Sequence, residues 1–361
     1  MTGGWLEYVA VFLGATLLCS LLLPLAIRVS LGLGLVDRGS GRKGLEPPVP
    51  FLGGMALVLA FSCSVVVGSI IRPPAGGHRE LVVVLGVAAF LAGVGLIDDL
   101  KSLPPWPRLV AEVGSGLVVW NLGVGITLTG VTWVDLALTV FWVVGITNAF
   151  NLLDNMDGLA AGLAAIASAA YFAIAVVQGQ FLVAGLSAGL VGCAVGFLRR
   201  NLYPAQIYMG DAGALFLGFL IAYLGMKLKV SGDGLETSLV PVLVCAIAIF
   251  DTTLVTLARL LSGRSPFQGG QDHVSHRHMG LGLPVPVAVG VIHAAAAGTG
   301  VLAFVSSRVD PATVWIIGGL VGVGMLAWGV LLWMVPVYPE SRRRHFSIID
   351  QTAEELSAGD Q

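Results

Sequence analysis

The chain has 361 residues, of which 56% are hydrophobic and only 11% charged, with a mean hydropathy of +0.90. This composition leaves too little polar area to solvate a globule of that size, so it excludes a water-soluble domain and predicts an all-α, polytopic integral membrane protein. The net charge of -2, with no basic patch carrying interleaved aromatics, gives no reason to expect nucleic acid as a partner.

Apolar runs of spanning length number about eleven: 5–27, 51–71, 80–97, 108–123, 134–152, 159–177, 181–198, 213–229, 238–258, 285–306 and 312–335. No basic segment precedes the first run and Arg28 follows it, so it reads as a retained span rather than a cleaved leader. Placing the first loop in the cytoplasm puts most of the 19 basic residues there and leaves Arg72, Arg79, Lys227, Lys229 and Arg308 outside. The positive-inside bias then gives an outer amino terminus and an inner carboxyl terminus. Cys19, Cys63, Cys193 and Cys245 lie within apolar runs without CxxC spacing and read as small core residues. Residues 1–337 are expected to form a single transmembrane catalytic domain, and 338–361, with an arginine triplet and an acidic end, a cytoplasmic tail.

The first inner loop, Asp37 to Gly54, contains prolines that hold an irregular backbone, Gly53 and Gly54 where it re-enters the membrane, and Lys43 as a movable cation. It reads either as a phosphate clamp or as a plain positive-inside anchor. The third span closes on Asp98 and Asp99, followed by Lys101 and Arg108. Adjacent carboxylates on a helix face different ways, so the two would serve different groups; a chance acidic pair at a helix end is the plainer reading.

The stretch Gly145 to Leu159 is the centre of the sequence. Asn148, Asn151, Asp154 and Asp157 recur every three residues, and on a helix this would aim two amides and two acids at one cavity. The alternative is a helix exit capped by Gly158. The next inner loop, Arg199 to Gly213, carries Asn201, then Tyr208, then Asp211 between Gly210 and Gly213 at the start of the eighth span. A helix amino terminus with small neighbours favours phosphate, with Asp211 holding a shared metal. Tyr208 reads as a stacking partner for a base or as an interfacial aromatic. Span nine carries Asp251, and the loop after it Arg264, Asp272, His273, His276 and Arg277. Imidazoles with guanidinium groups suit an anion; a zinc site from Asp272, His273 and His276 is the rival, without an HExxH helix to support it.

The acids thus gather on one side of the membrane. Like charges about 4 Å apart repel by roughly 4 kcal/mol at an effective dielectric near 20, so converging carboxylates need a proton, separation or a cation. Oxygen-only ligands point to Mg2+, or Mn2+, rather than zinc.

Five segments in order, RKGLEPPVPFLGG, GLIDDLKSL, NAFNLLDNMDGLAAG, NLYPAQIYMGDAGALFLGF and the Arg264 to Leu283 loop, resemble the polyprenyl-phosphate N-acetylhexosamine-1-phosphate transferases, glycosyltransferase family 4. The resemblance implies Mg2+-dependent transfer of a sugar 1-phosphate from a UDP-HexNAc to a polyprenyl phosphate, with release of UMP at the cytoplasmic face of the bacterial inner membrane; a homodimer is compatible with it. Carried over by position, Asp98 and Asp99 look like the catalytic acidic pair, with Asp98 near the lipid phosphate, and Asp211 and Asn151 like metal ligands. Lys43, Asp154, Asp157, Asn201, Tyr208, Arg264, His273, His276 and Arg277 look like substrate-binding groups. The sequence departs from the family pattern at Leu45, at Gly270-Gln271 and at Ser275, where the usual H-x-H-H reads H-V-S-H. The three consecutive histidines of the muramoyl-pentapeptide branch are absent, so the chain looks closer to the GlcNAc-1-phosphate branch. From the residues alone, an ion-coupled transporter is the competing class, since it too uses intramembrane acids and glycine-interrupted helices.

Overall fold

In a computed structural model of the protein, residues 4–37, 48–74, 78–230, 232, 234–267 and 269–337 are described; Lys43 and the tail from 338 onward lie outside the described residues. The chain begins with α1 (Trp5–Leu33), ended by Gly34 in a left-handed conformation at φ 70°. A two-residue ladder follows, β1 (Val36–Asp37) antiparallel to β2 (Val49–Pro50). Next come α2 (Gly53–Ile71), α3 (Arg79–Lys101), α4 (Pro105–Asn121), α5 (Thr132–Leu153), α6 (Leu159–Val177), α7 (Phe181–Asn201) and α8 (Gly210–Lys227). After a 3₁₀ turn at Leu235–Ser238 the chain forms α9 (Leu239–Val244), α10 (Ala246–Leu261), α11 (Val274–Gly280), α12 (Val285–Ser306) and α13 (Pro311–Trp333).

Among the described residues nine helices are long and apolar enough to cross a membrane: α1, α2, α3, α5, α6, α7, α8, α12 and α13. The predicted fourth span is α4, with 17 residues. The predicted ninth span is not continuous. It is broken into α9 and α10, bent by 78°. Cys245, at φ -92° and ψ 7°, ends one helix and starts the next. Its thiol lies 3.4 Å from the Tyr171 hydroxyl of α6, so the break is seated in the core. Cys19, Cys193 and Cys245 are buried as expected, whereas Cys63 is exposed on the apolar outer face; all four are free.

Burial sorts the helices into centre and rim. In α8 every residue from Ala212 to Gly225 is buried, the signature of a helix apolar all round and enclosed by others. In α13 only Val314 and Leu332 are buried, and Ile316, Leu320 and Leu326 are about two-thirds exposed, as befits side chains that face lipid. On α7, Gly192 and Gly196 lie directly against the α1 backbone; a Cβ at Gly192 would stand 2.3 Å from the Phe12 carbonyl oxygen. Helix α8 is pinned to α3 at both ends. At one, Glu80 accepts from the Tyr223 hydroxyl and pairs with Lys227, each at 2.6 Å; at the other stands the acidic pair of α3.

Candidate active site

The site is built around the first turn of α8. Before it, the backbone of Tyr208 donates to Pro50 O at 2.7 Å, and the amides of Gly53 and Gly54 donate to Tyr208 O and Met209 O, both at 3.0 Å. The re-entering first loop is therefore tied directly to the 201–210 segment. A Cβ at Gly54 would stand 2.3 Å from Gly213 N, and one at Gly95 2.5 Å from Asp211 C and O. Only glycine lets α2, α3 and α8 approach so closely. Gly210, at φ 66°, turns the chain into α8.

One turn beyond Gly95, the two acids of α3 diverge. Asp99 accepts from the amides of Asp211 at 2.8 Å and Ala212 at 3.2 Å, so it caps the positive end of α8. This corrects the expectation that these amides would be offered to a phosphate: they already hold a carboxylate. Asp98 accepts from Leu103 N at 2.6 Å and pairs with Arg108 at 2.8 Å. The same guanidinium nitrogen reaches Asp211 Oδ2 at 2.8 Å, and Asn151 Nδ2 donates to Asp211 Oδ1 at 2.7 Å. Residues from α3, α4, α5 and α8 thus meet at Asp211.

The three-residue rhythm of Asn148, Asn151, Asp154 and Asp157 does not persist as one helical face. Helix α5 ends at Leu153 and Asp154 occupies its C-cap, so the two acids project from the connecting turn instead. Gly158, at φ 76°, caps the start of α6 rather than the end of α5. Asn148 turns away to Glu112 of α4, and its amide also donates to Val144 O at 2.9 Å. Asp157 accepts from Ala205 N at 2.8 Å. Asn201 braces the same turn, accepting from Gly158 N at 3.0 Å and donating to Ile207 O at 2.9 Å.

These groups surround a cavity of about 510 Å³. Asp99, Asp154, Asp157, Asp211, Asn201 and Tyr208 line it, together with Asp37 and Asn155, which sequence reasoning had not singled out as site residues. Asp98 is not among the lining side chains. Burial, and then the negative charge of Asp211, Asp99 and Asp157, pushes the Asp154 carboxyl up to about 8. At neutral pH this carboxyl holds a proton unless a cation replaces it.

The loop after α10 forms a second polar cluster with different bookkeeping. Asp272, 1% exposed, pairs with Arg259 at 3.3 Å and Arg264 at 2.6 Å. Asp251 takes His273 Nδ1 at 2.8 Å and Val274 N at 2.7 Å. Arg277, 4% exposed, donates to Asp272 O and Leu332 O, both at 2.9 Å. Arg264, His273 and Arg277, expected to face substrate, are thus engaged within the fold and do not line the cavity. The His276 ring centroid lies 6.0 Å from that of His273, and burial lowers the His276 pKa. The cluster touches the cavity wall through Ser275, whose hydroxyl donates to Asn155 Oδ1 at 2.6 Å.

Among the described residues, no three of His, Cys, Asp and Glu converge tightly enough to ligate a metal by themselves, so the zinc set of Asp272, His273 and His276 does not form. The cavity nevertheless offers the carboxylates of Asp37, Asp99, Asp154, Asp157 and Asp211, oxygen donors that suit a hard cation completed by water and phosphate oxygens. Sequence reasoning did not select Arg108 or Glu112 as site residues. Glu112 is fully buried in α4, with Oε1 lacking a partner among the described residues. A lone acid in an apolar run was its only signal.

Comparison with known proteins shows the family. Residues 81–229 match the model of glycosyl transferase family 4. A Bacillus subtilis protein described as a probable undecaprenyl-phosphate N-acetylglucosaminyl 1-phosphate transferase is 30% identical over 321 residues, 86% of this chain and 87% of that protein. The decaprenyl-phosphate N-acetylglucosaminephosphotransferase of Mycobacterium leprae is 28% identical over 82% of this chain and 81% of its own length. The phospho-N-acetylmuramoyl-pentapeptide-transferase of Limosilactobacillus fermentum reaches 34% identity but over 50% of this chain and 60% of its own.

Proposed function

Because this chain belongs to glycosyl transferase family 4, we propose that it transfers a HexNAc 1-phosphate, GlcNAc 1-phosphate foremost, from a UDP-sugar to an undecaprenyl-type polyprenyl phosphate and releases UMP, so starting a cell-wall or surface glycan. The observation that carries this reading is the convergence of Asp99, Asp154, Asp157 and Asp211 on one cavity at the end of the bundle where α3 and α5 finish and α8 begins. An ion-coupled transporter would place its acids near mid-span between repeats; these sit at helix ends. With most basic residues on the same side, the cavity faces the cytoplasm of a bacterial inner membrane.

In a single displacement, an oxygen of the lipid phosphate attacks the phosphorus that carries the sugar. A new phosphoanhydride bond forms as the bond from that phosphorus to the UMP oxygen breaks, and UMP departs with the electron pair. Such transfer depends mainly on positioning and charge neutralisation. Asp211, which lines the cavity, would hold Mg2+, or Mn2+, with Asn151, outside the lining, bonded to its carboxylate through the amide nitrogen and assigned as second ligand by the family resemblance. When bound, the ion supplies neutralisation of charge on the departing phosphate. Arg108 keeps Asp98 and Asp211 in register and adds positive charge beside the reacting phosphates. Asp99 fixes the first turn of α8. Asp98 positions the acceptor phosphate through Arg108 rather than deprotonating it, since a phosphomonoester with a second pKa of about 6 is largely ionised already. Asp157, Asn201 and Tyr208 shape the uridine side of the cavity.

Purified protein incubated with UDP-GlcNAc, a polyprenyl phosphate and Mg2+ should release UMP. No UMP from any UDP-HexNAc would overturn the proposal. Exchange of labelled UMP into the donor without lipid would replace single displacement by a covalent aspartyl intermediate.

A further inference from the structure

Asn155 and Ser275 have no part in the mechanism above, yet they form a direct link between the two polar clusters. Asn155 lines the cavity between Asp154 and Asp157. Its carbonyl oxygen accepts from the buried Ser275 hydroxyl at 2.6 Å, and its amide donates to Leu152 O at 2.6 Å, in the last turn of α5. Both ends of the Asn155 side chain are therefore committed, one to the helix that ends at the site and the other to α11. Helix α11 is itself immobilised at its base, because Asp251 of α10 takes both the His273 ring and the Val274 amide, and Arg277 anchors its far turn to α13. Ser275 sits between these two anchors. The consequence is mechanical. The turn that carries Asp154 and Asp157 is held from outside the cavity by a rigid segment 120 residues away in sequence.

We propose that Ser275 and Asn155 are a positioning pair for the donor. By fixing the turn between α5 and α6 against α11 they preorganise the uridine side of the cavity, without touching the reacting atoms. The inference rests on the reading that this cavity accepts a UDP-sugar. A hydroxyl suits the task, because the Oγ is already within bonding distance of Asn155 and the residue is 1% exposed. Preorganisation of this kind lowers the cost of ordering the site on binding and should appear in donor affinity rather than in the chemical step.

The test is a double-mutant cycle read by steady-state UMP release, using UDP-GlcNAc and undecaprenyl phosphate. Ser275→Ala and Asn155→Ala should each raise the donor KM about tenfold, roughly what one net hydrogen bond is worth, while kcat and the acceptor KM stay within about twofold. The double variant should be no worse than either single one, because both remove the same link. Ser275→Thr keeps the hydroxyl and should restore the donor KM. Effects that multiply to about a hundredfold in the double variant, or that fall equally on kcat and the acceptor KM, would overturn the pair's role. If Ser275→Ala does not fold, the Asn155→Ala and Ser275→Thr kinetics decide the matter from the other end of the bond. Absence of turnover in the unaltered protein removes the donor reading and this inference with it. Normal turnover with an unchanged donor KM in both alanine variants removes this inference alone.

Discussion

The two polar clusters of this protein bury similar groups and settle their charges in opposite ways. Around Asp272 each acid has a basic partner within the fold: one carboxylate between Arg259 and Arg264, and Asp251 hydrogen-bonded to the His273 ring. Around Asp211 the balance runs the other way. Asp98 and Asp211 share one guanidinium nitrogen, and Asp154 is pushed up to about 8 by burial and by three neighbouring carboxylates. In the Asp272 cluster the acids are taken up by basic partners of the fold, with Arg259 Nη2 lacking a partner among the described residues. The acid-rich cluster is the one for which a divalent cation is proposed. The sequence motifs alone do not separate the two, because both are written in Asp, Asn, His and Arg near span ends.

Four substitutions sharpen that contrast. The largest effect belongs to Asp211→Asn, which keeps the shape and removes the charge on which four helices converge. UMP release should fall about 10³-fold or more with the melting temperature nearly unchanged, as for loss of a group that acts only through charge in the transition state. Asp272→Ala should do the reverse. Stranding Arg259, 1% exposed, without its carboxylate should cost about 3–5 kcal/mol of stability, seen as an earlier denaturant midpoint, while the folded fraction keeps Asp211 in place.

Gly95→Ala lies between these extremes. Its methyl group would stand 2.5 Å from the Asp211 backbone and must push α8 away from α3. Overpacking of this kind costs about 1–3 kcal/mol, and a displacement of about 1 Å at the site should lower kcat by up to about a hundredfold. The smallest effect concerns pH. Because the Asp154 pKa is raised on folding, the folded chain binds more protons than the unfolded one between the ordinary carboxylate range and about 8. In metal-free buffer, stability should therefore decline as pH rises through that window, and Asp154→Asn should flatten the decline in melting temperature.

The membrane fold was legible because hydropathy acts locally: α1 to α3, α5 to α8, α12 and α13 coincide with apolar runs of spanning length. The break at Cys245 was not legible, since the run 238–258 reads as a single span, and the contact of Cys245 with Tyr171 joins residues 74 apart. The acids of the site announced themselves by position at span ends. Their partners did not. Asn148 was expected beside Asn151 and Asp154 but finds Glu112 across a helix pair, and the α8 amides expected to meet phosphate are taken by Asp99, 112 residues earlier. Spacing along a helix can place side chains on one face only while the helix lasts, and α5 ends at Leu153. Arg264 and Arg277 looked like anion ligands because sequence cannot show that Asp272 and the Leu332 carbonyl reach them first.

Mn2+ binding followed by electron paramagnetic resonance, without substrates, decides whether the acid-rich cluster holds a divalent cation and the arginine-paired one does not. Roughly one Mn2+ should bind per chain, and binding should be lost in Asp211→Asn and retained in Asp272→Asn at a temperature where that variant stays folded. Binding that survives Asp211→Asn, or that disappears with Asp272→Asn, would contradict it.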